Sequence, residues 1–338
     1  MTNILLVFTG GTIGSVACNG AIDTAEKQGY KLLQLFDQTY PVTKPVNFTT
    51  IQPLQLLSEN LFPTVWEALI QAIEAEDISL YDGIIITHGT DTLAFTASAL
   101  GLYFNAVNIP ILLISSDHPL DHPQANGLTH FNCAVEFIRQ KRATGVFVPY
   151  KNPAADILVH LGTRLASCLQ LSGDFISVQS KAYLKFATGA FYQLNPLKTK
   201  IESYIPLVPS FSANILLIRP YPGLDYSHFQ LDRADAVIHD LYHSGTACSI
   251  AEWGESHSLT AFIEQCNAQN VSLYMAPAIK NADAYQSTRS LLDQGAKMIW
   301  NMSLESAYAK LLLGYGNFTD EPAIEQFSES DIAFEHIE

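Results

Sequence analysis

A two-domain α/β fold is predicted from three features of the chain. Short apolar runs alternate with longer stretches of helical spacing, glycine-bearing turns follow the runs, and one proline-rich stretch interrupts the alternation. The runs at 4–8, 84–87, 111–115 and 146–149 read as buried strands. Between them, 64–75, 92–104 and 125–140 repeat apolar residues at helical spacing. This βαβα order implies a mostly parallel sheet covered on both faces. Residues 156–190, rich in Leu, Ser and Val, read as a hairpin-like extension.

The stretch "NPLKTKIESYIPLVPSFSAN" (195–214) collects three prolines and little apolar periodicity. It places a linker at 195–212, between an N-terminal domain at 1–194 and a smaller α/β C-terminal domain at 213–338. In the latter, "NILLIRPY", "AVIHDL", "VSLYMA" and "KMIWNM" read as strands with helices between and after. Neither an internal repeat nor a low-complexity segment is evident.

With 338 residues, each domain can bury a core, and 48% hydrophobic against 15% charged residues argues against disorder. A net charge of −15 repels a phosphate backbone, so nucleic acid is not an expected partner. Cys18, Cys133, Cys168, Cys248 and Cys266 are scattered and read as reduced thiols of a cytoplasmic protein. The opening "MTNILLVFTGG" is a first strand and not a signal peptide, and no apolar run is long enough to cross a membrane.

In parallel α/β sheets ligands collect at the carboxyl ends of the strands. Two loaded turns stand there. "FTGGTIG" (8–14) has Gly10 and Gly11, which allow close backbone approach, and the hydroxyl of Thr12. Its spacing is not a dinucleotide fingerprint, and no phosphate-loop lysine follows. "THGTDT" (87–92) holds His88, Gly89, Thr90, Asp91 and Thr92. Asp91 or Thr90 is expected to cap the helix that starts near Thr92, but one cap does not use all these groups.

"TGGTIG" and "HGTDT" at this separation resemble the two signature motifs of the bacterial-type L-asparaginases, threonine-dependent amidohydrolases closest in appearance to the cytoplasmic type. "LLSENLFPTVWEALIQAI" resembles that family's substrate loop and following helix, and "NMSLESAYAKLLL" adds a weaker match. The resemblance implies hydrolysis of L-asparagine to L-aspartate and ammonia without cofactor or metal. It assigns Thr12 as nucleophile, and Thr90 and Asp91 to a second catalytic group. Gly11, Ser58, Glu59, Gly89 and Ser116 fall at substrate-binding positions, with Asp91 and Glu59 toward the α-ammonium group and Ser58 and the Gly89 backbone toward the carboxylate. A homodimer or homotetramer is implied, in which a neighbour's C-terminal domain closes each site.

The departures are specific. Where the family pattern G-x-R-x-x-K has lysine, "GTRLAS" has Gly162 and Arg164 but Ser167. The stretch after "ILLI" is Ser115, Ser116 and Asp117, with Asn126 and His130 at later signature positions. Thr246 stands for the asparagine that reaches a neighbour's site, and Tyr30 for the mobile-loop tyrosine. A lysine from elsewhere, Lys181 or Lys185, is one substitute for the missing cation. Two other readings stay open: a hydrolase of a different small amide, and a non-catalytic amino-acid-binding relative. In "SSDHPLDHP" (115–123), Asp117, His118, Asp121 and His122 raise a metal site, but Pro119 and Pro123 deny them a shared helical face, and a polar loop is the preferred reading. "RQKR" (139–142) reads as charge matched to a helix C-terminus.

Overall fold

The computed structural model describes the whole chain except residues 12, 14, 19–20, 25–27, 40–44, 198–203, 281–282 and 338. The side chains of 15–18, 21–24 and 28–30 are likewise outside it. The chain divides into two compact units, one of residues 1–209 with 332–334, the other of 210–331 with 335–338.

In the first unit the strands are β1 (Thr2–Val7), β4 (Val46–Ile51), β5 (Gly83–Thr87), β6 (Pro110–Ile114), β7 (Gly145–Lys151), β8 (Ile157–Leu161), β9 (Leu184–Ala187) and β10 (Ala190–Gln193). They form one sheet in the order β10-β9-β8-β7-β6-β5-β1-β4. Strands β4, β1, β5, β6 and β7 pair in parallel, and β7 to β10 pair antiparallel. Strands β5 and β6 are buried throughout, as their unbroken Ile and Leu runs require under cover on both faces. A separate hairpin joins β2 (Ser15–Cys18) to β3 (Ala21–Thr24).

The helices are α1 (Gln28–Thr39), α2 (Pro63–Glu74), α3 (Leu93–Tyr103) and α4 (Gly127–Arg139). The expected strands and helices at 4–8, 64–75, 84–87, 92–104, 111–115, 125–140 and 146–149 each overlap an observed element. Helix α1, the hairpin β2–β3 and strand β4 have no counterpart in the sequence reading. β4 alternates polar residues along a sheet edge and presents no apolar run to detect. Residues 156–190 contribute β8 and β9, which widen the main sheet in the antiparallel sense.

Helix α3 is buried nearly all round and built largely of small residues. A methyl carbon on Gly101 would lie 2.6 Å from Thr163 Cγ2, and one on Gly162 2.8 Å from the Ala97 carbonyl oxygen. The turn Gly162–Arg164 is therefore seated directly on α3. It is also tied to the chain's last residues: Thr163 donates to the Ala333 carbonyl at 2.9 Å, and Arg164 Nε to that of Phe334.

The second unit holds a four-stranded sheet of β11 (Ile215–Ile218), β12 (Ala236–His239), β13 (Ser272–Ala278) and β14 (Lys297–Trp300), parallel throughout. Helices α5 (Leu259–Ala268), α6 (Gln286–Asp293), α7 (Leu304–Asn317) and α8 (Glu321–Glu329) accompany it. Tyr226 and Phe262 stack at 4.7 Å in its core. Among the described residues no helix is long and apolar enough to cross a membrane.

Candidate active site

Two turns at the carboxyl ends of β1 and β5 touch through their backbones. Thr9 locks the two strand ends together: its hydroxyl donates to the Thr87 carbonyl at 2.5 Å, and its N–H donates to Thr87 Oγ1 at 3.2 Å. The chain then turns through Gly11 at φ +76°, where a methyl carbon would lie 2.5 Å from the backbone nitrogen of Gly89. Left-handed φ and lack of space both demand glycine there. The Gly11 N–H is spent on the Leu56 carbonyl at 3.1 Å.

The second turn is held from beneath by His88. Its ring lies 3% exposed, with Nδ1 2.8 Å from the Gly89 carbonyl and Nε2 2.9 Å from Thr96 Oγ1. A carbonyl only accepts, so Nδ1 carries the proton and Nε2 accepts from Thr96. The Thr96 hydroxyl in turn accepts from Trp66 Nε1 at 3.0 Å. Trp66 and Thr96 were not singled out from the sequence. Their signal was a lone hydroxyl and a lone indole N–H on otherwise apolar faces of α3 and α2. Burial pushes the His88 imidazole down to about 4, outweighing the opposing Gly89 bond and Asp91 charge, so the ring is neutral at pH 7.

Ser58 links the turns to the segment after β4. It is 4% exposed in the short turn Ser58–Asn60, and its hydroxyl donates to Asp91 Oδ2 at 3.1 Å. A methyl carbon on Gly89 would lie 2.3 Å from that same hydroxyl oxygen. Thr92 donates to the Ser58 carbonyl at 3.0 Å. The capping expectation is corrected here. Thr92 itself is the N-cap of α3, and no side chain makes a capping bond. Asp91 is directed to Ser58 instead, because the helix begins two residues beyond it.

Gly11, Ser58, Gly89, Thr90 and Asp91 are thus brought together. Thr12, between buried Gly11 and Ile13, lies outside the described residues, as does the side chain of Tyr30 in α1. Glu59 is exposed beside Ser58. Ser116 is fully buried and engaged locally, donating to the His118 carbonyl at 2.6 Å and accepting the Gly127 N–H at 3.1 Å. Asp117 takes a bond from Asn126 Nδ2 at 2.8 Å and one from the Tyr150 hydroxyl. His118 and His122 stack at 4.2 Å, and Asp121 pairs with Lys31. Among the described residues no three metal-ligating side chains form a group.

Ser167 and Cys168 follow the turn seated on α3, both half-buried. Burial first, and then the charges of Asp117, Asp91 and Asp174, push the Cys168 thiol up to about 11. Lys185 is committed elsewhere, 2.7 Å from Asp156. Thr246 belongs to the second unit, where it bridges Tyr242.

A mostly parallel sheet with glycine turns at its carboxyl edge defines an α/β protein whose candidate ligand site lies at that edge. The family pattern described as "Asparaginase, N-terminal" matches residues 3–184, more than half of the chain, which belongs to the asparaginase family. The chain is 27% identical to a glutamyl-tRNA(Gln) amidotransferase subunit of Methanococcus maripaludis, covering 99% of this chain and 81% of the relative. The thermostable L-asparaginase from Thermococcus kodakarensis superposes with a TM-score of 0.81 at 26% identity over 100% of both chains. L-asparaginase I from Vibrio cholerae shares the fold, with a TM-score of 0.79 at 22% identity over 99% of each chain.

Proposed function

We propose that the chain hydrolyses the side-chain amide of L-asparagine, releasing L-aspartate and ammonia. The observation that supports this most is the backbone contact of Gly11 with Gly89. Thr12 follows the first of these glycines, and Thr90 and Asp91 follow the second. In this reading the Thr12 hydroxyl attacks the amide carbon while a neighbouring group takes its proton. Ammonia leaves with a returned proton, and water then hydrolyses the acyl ester to free the carboxylate. The oxyanion needs donors, and the Gly11 N–H is already spent, so they come from peptide groups farther along the turns. Asp91 and exposed Glu59 take the substrate's ammonium group. The Ser58 hydroxyl, released from Asp91, takes its carboxylate together with the Gly89 backbone. A homodimer or homotetramer belongs to the same reading.

A second reading is turnover of a different amide, glutamine among them, or binding without turnover. The three carboxylates that raise the Cys168 thiol, with Ser167 where relatives are expected to carry lysine, favour it. Ammonia release from a panel of ω-amides, by the parent chain and by Thr12→Ala, separates these. Release from asparagine that vanishes in Thr12→Ala supports the first reading. Release from another amide alone supports the second, and heat of asparagine binding without ammonia marks a binding protein. Retained turnover in Thr12→Ala removes Thr12 as nucleophile.

A further inference from the structure

Helix α4 carries Thr129, Asn132, Glu136 and Arg139 at successive three- and four-residue steps, which align them on one face. Its other residues from His130 to Ile138 are buried, as befits a helix packed on the sheet. The polar stripe borders a cavity of about 590 Å³ within the first unit. Phe36, Ile157 and Phe186 give the cavity apolar walls, and Lys151 stands on its border.

The hydrogen bonds of this stripe do not close on themselves. Asn132 is 3% exposed, and neither its amide nitrogen nor its oxygen has a partner. The buried Nε of Arg139 has none either. The carboxylates, by contrast, are spent. Glu136 receives Arg139 Nη1 at 2.5 Å and Gln140 Nε2 at 3.1 Å, and Asp156 holds Lys185 at 2.7 Å. Lys151 forms no ion pair among the described residues. A buried amide without partners costs stability, and native interiors rarely keep one without a use. What remains over is one donor–acceptor fork and positive charge, in a chain of net charge −15.

We propose that this cavity is a second ligand site, separate from the Gly11–Gly89 turns, for a small organic anion with a flat donor–acceptor edge. The Asn132 amide, enclosed behind the cavity wall in this structure, would on turning into the cavity offer one donor and one acceptor side by side, which matches a cyclic amide or the N6/N7 edge of adenine. The Arg139 guanidinium and Lys151, both on the cavity's border, supply the cation-borne donors an anion needs. The apolar walls suit the faces of a planar ring, and the volume falls in the range of small-ligand pockets. The anion can be a phosphate or a ring carboxylate, because both satisfy the same donors.

Calorimetric titration of the full chain tests this with AMP and orotate, and with adenosine and inorganic phosphate as halves of the first. AMP or orotate is expected to bind at least about tenfold more tightly than either half, with excess L-aspartate leaving the affinity unchanged. Preference for AMP identifies the phosphate source, and preference for orotate the carboxylate. Asn132→Leu should lose about tenfold in affinity while raising Tm, and Arg139→Gln should lose a similar factor even if the leucine variant does not fold. Absence of binding by both AMP and orotate overturns the site. So does displacement by L-aspartate, or unchanged affinity in a folded variant.

Discussion

The Ser58 hydroxyl donates to the Asp91 carboxylate across 3.1 Å, and Thr92 donates to the Ser58 carbonyl at 3.0 Å, so side-chain hydrogen bonds tie the turn after β4 to the turn after β5 at the site. Asp91 serves no helix cap, since α3 begins at Leu93 with an N-cap that uses no side chain. Among the described residues its carboxylate takes no other hydrogen bond, though its charge acts on His88 and Cys168. Asp91→Asn is therefore expected to abolish or sharply reduce turnover, with Tm nearly unchanged. Asp91→Ala should cost less than the about 1 kcal/mol of a lost cap. Thermal melts beside steady-state kinetics check both, and a large loss of Tm with intact KM would reassign Asp91 to the scaffold.

Buried histidines give the stability a particular pH dependence. His88, His130, His160 and His239 are each pushed down to about 4, burial being the leading cause. The unfolded chain takes up these protons near the ordinary value of 6.5, before the native chain does. The contribution is thus complete above 6.5 and is lost as pH falls toward 4. Each ring can add up to about 1.4 kcal/mol of lost stability per pH unit in that window. Urea unfolding between about pH 7 and pH 5, above the main carboxylate range, should show this slope, and His88→Gln should lessen it by one proton's share. A flat profile would contradict the burial of these rings.

The C-terminal unit depends on one enclosed ion pair. Lys310 and Glu335 are both fully buried, 2.5 Å apart, and the lysine also donates to the Ser330 carbonyl and lies 5.4 Å from the Phe327 ring centre. Burial alone would raise the Glu335 carboxyl, but the Lys310 charge and the bonds to it draw it down to about 2. Its share of the stability is present above the ordinary carboxylate value and is lost as pH falls toward 2. Glu335→Gln should cost about 3–5 kcal/mol by stranding the ammonium, and Lys310→Met with Glu335→Leu should recover much of it. A double variant as unstable as the single one would show that the pair contributes through more than its charges.

The legible part of this protein lies where side chains report their surroundings directly. β5 and β6 are continuous apolar runs because both their faces are covered, and the glycines of the two turns mark backbone contact. β4 escapes detection because an edge strand alternates polar residues, and α1 because its packing partners are distant in sequence. At the site, the fold brings Gly11, Ser58 and Asp91 onto neighbouring turns after β1, β4 and β5. The destination of His88 is not readable, since Thr96 reaches it from α3 and Trp66 reaches Thr96 from α2. Nor is the surrounding of Cys168, since Asp117, Asp91 and Asp174 converge only through the fold.

Ser167 is the position where a single charge tests the proposed chemistry. It adjoins Cys168, whose thiol is held up at about 11 by burial and by the carboxylates of Asp117, Asp91 and Asp174. A lysine at 167 would bring a cation among these acids, favouring their charged forms and the thiolate alike. Ser167→Lys is therefore expected to lower the Cys168 value and speed its alkylation, read by mass spectrometry as modification against pH. If Thr90 and Asp91 work as proposed, the same variant should raise asparagine turnover, because the added charge eases proton removal from a hydroxyl. The two readouts separate the electrostatics from the mechanism. Faster alkylation without more turnover would keep the charge argument and remove the catalytic one. Unchanged alkylation would mean that the new ammonium points away from Asp91 and Asp117.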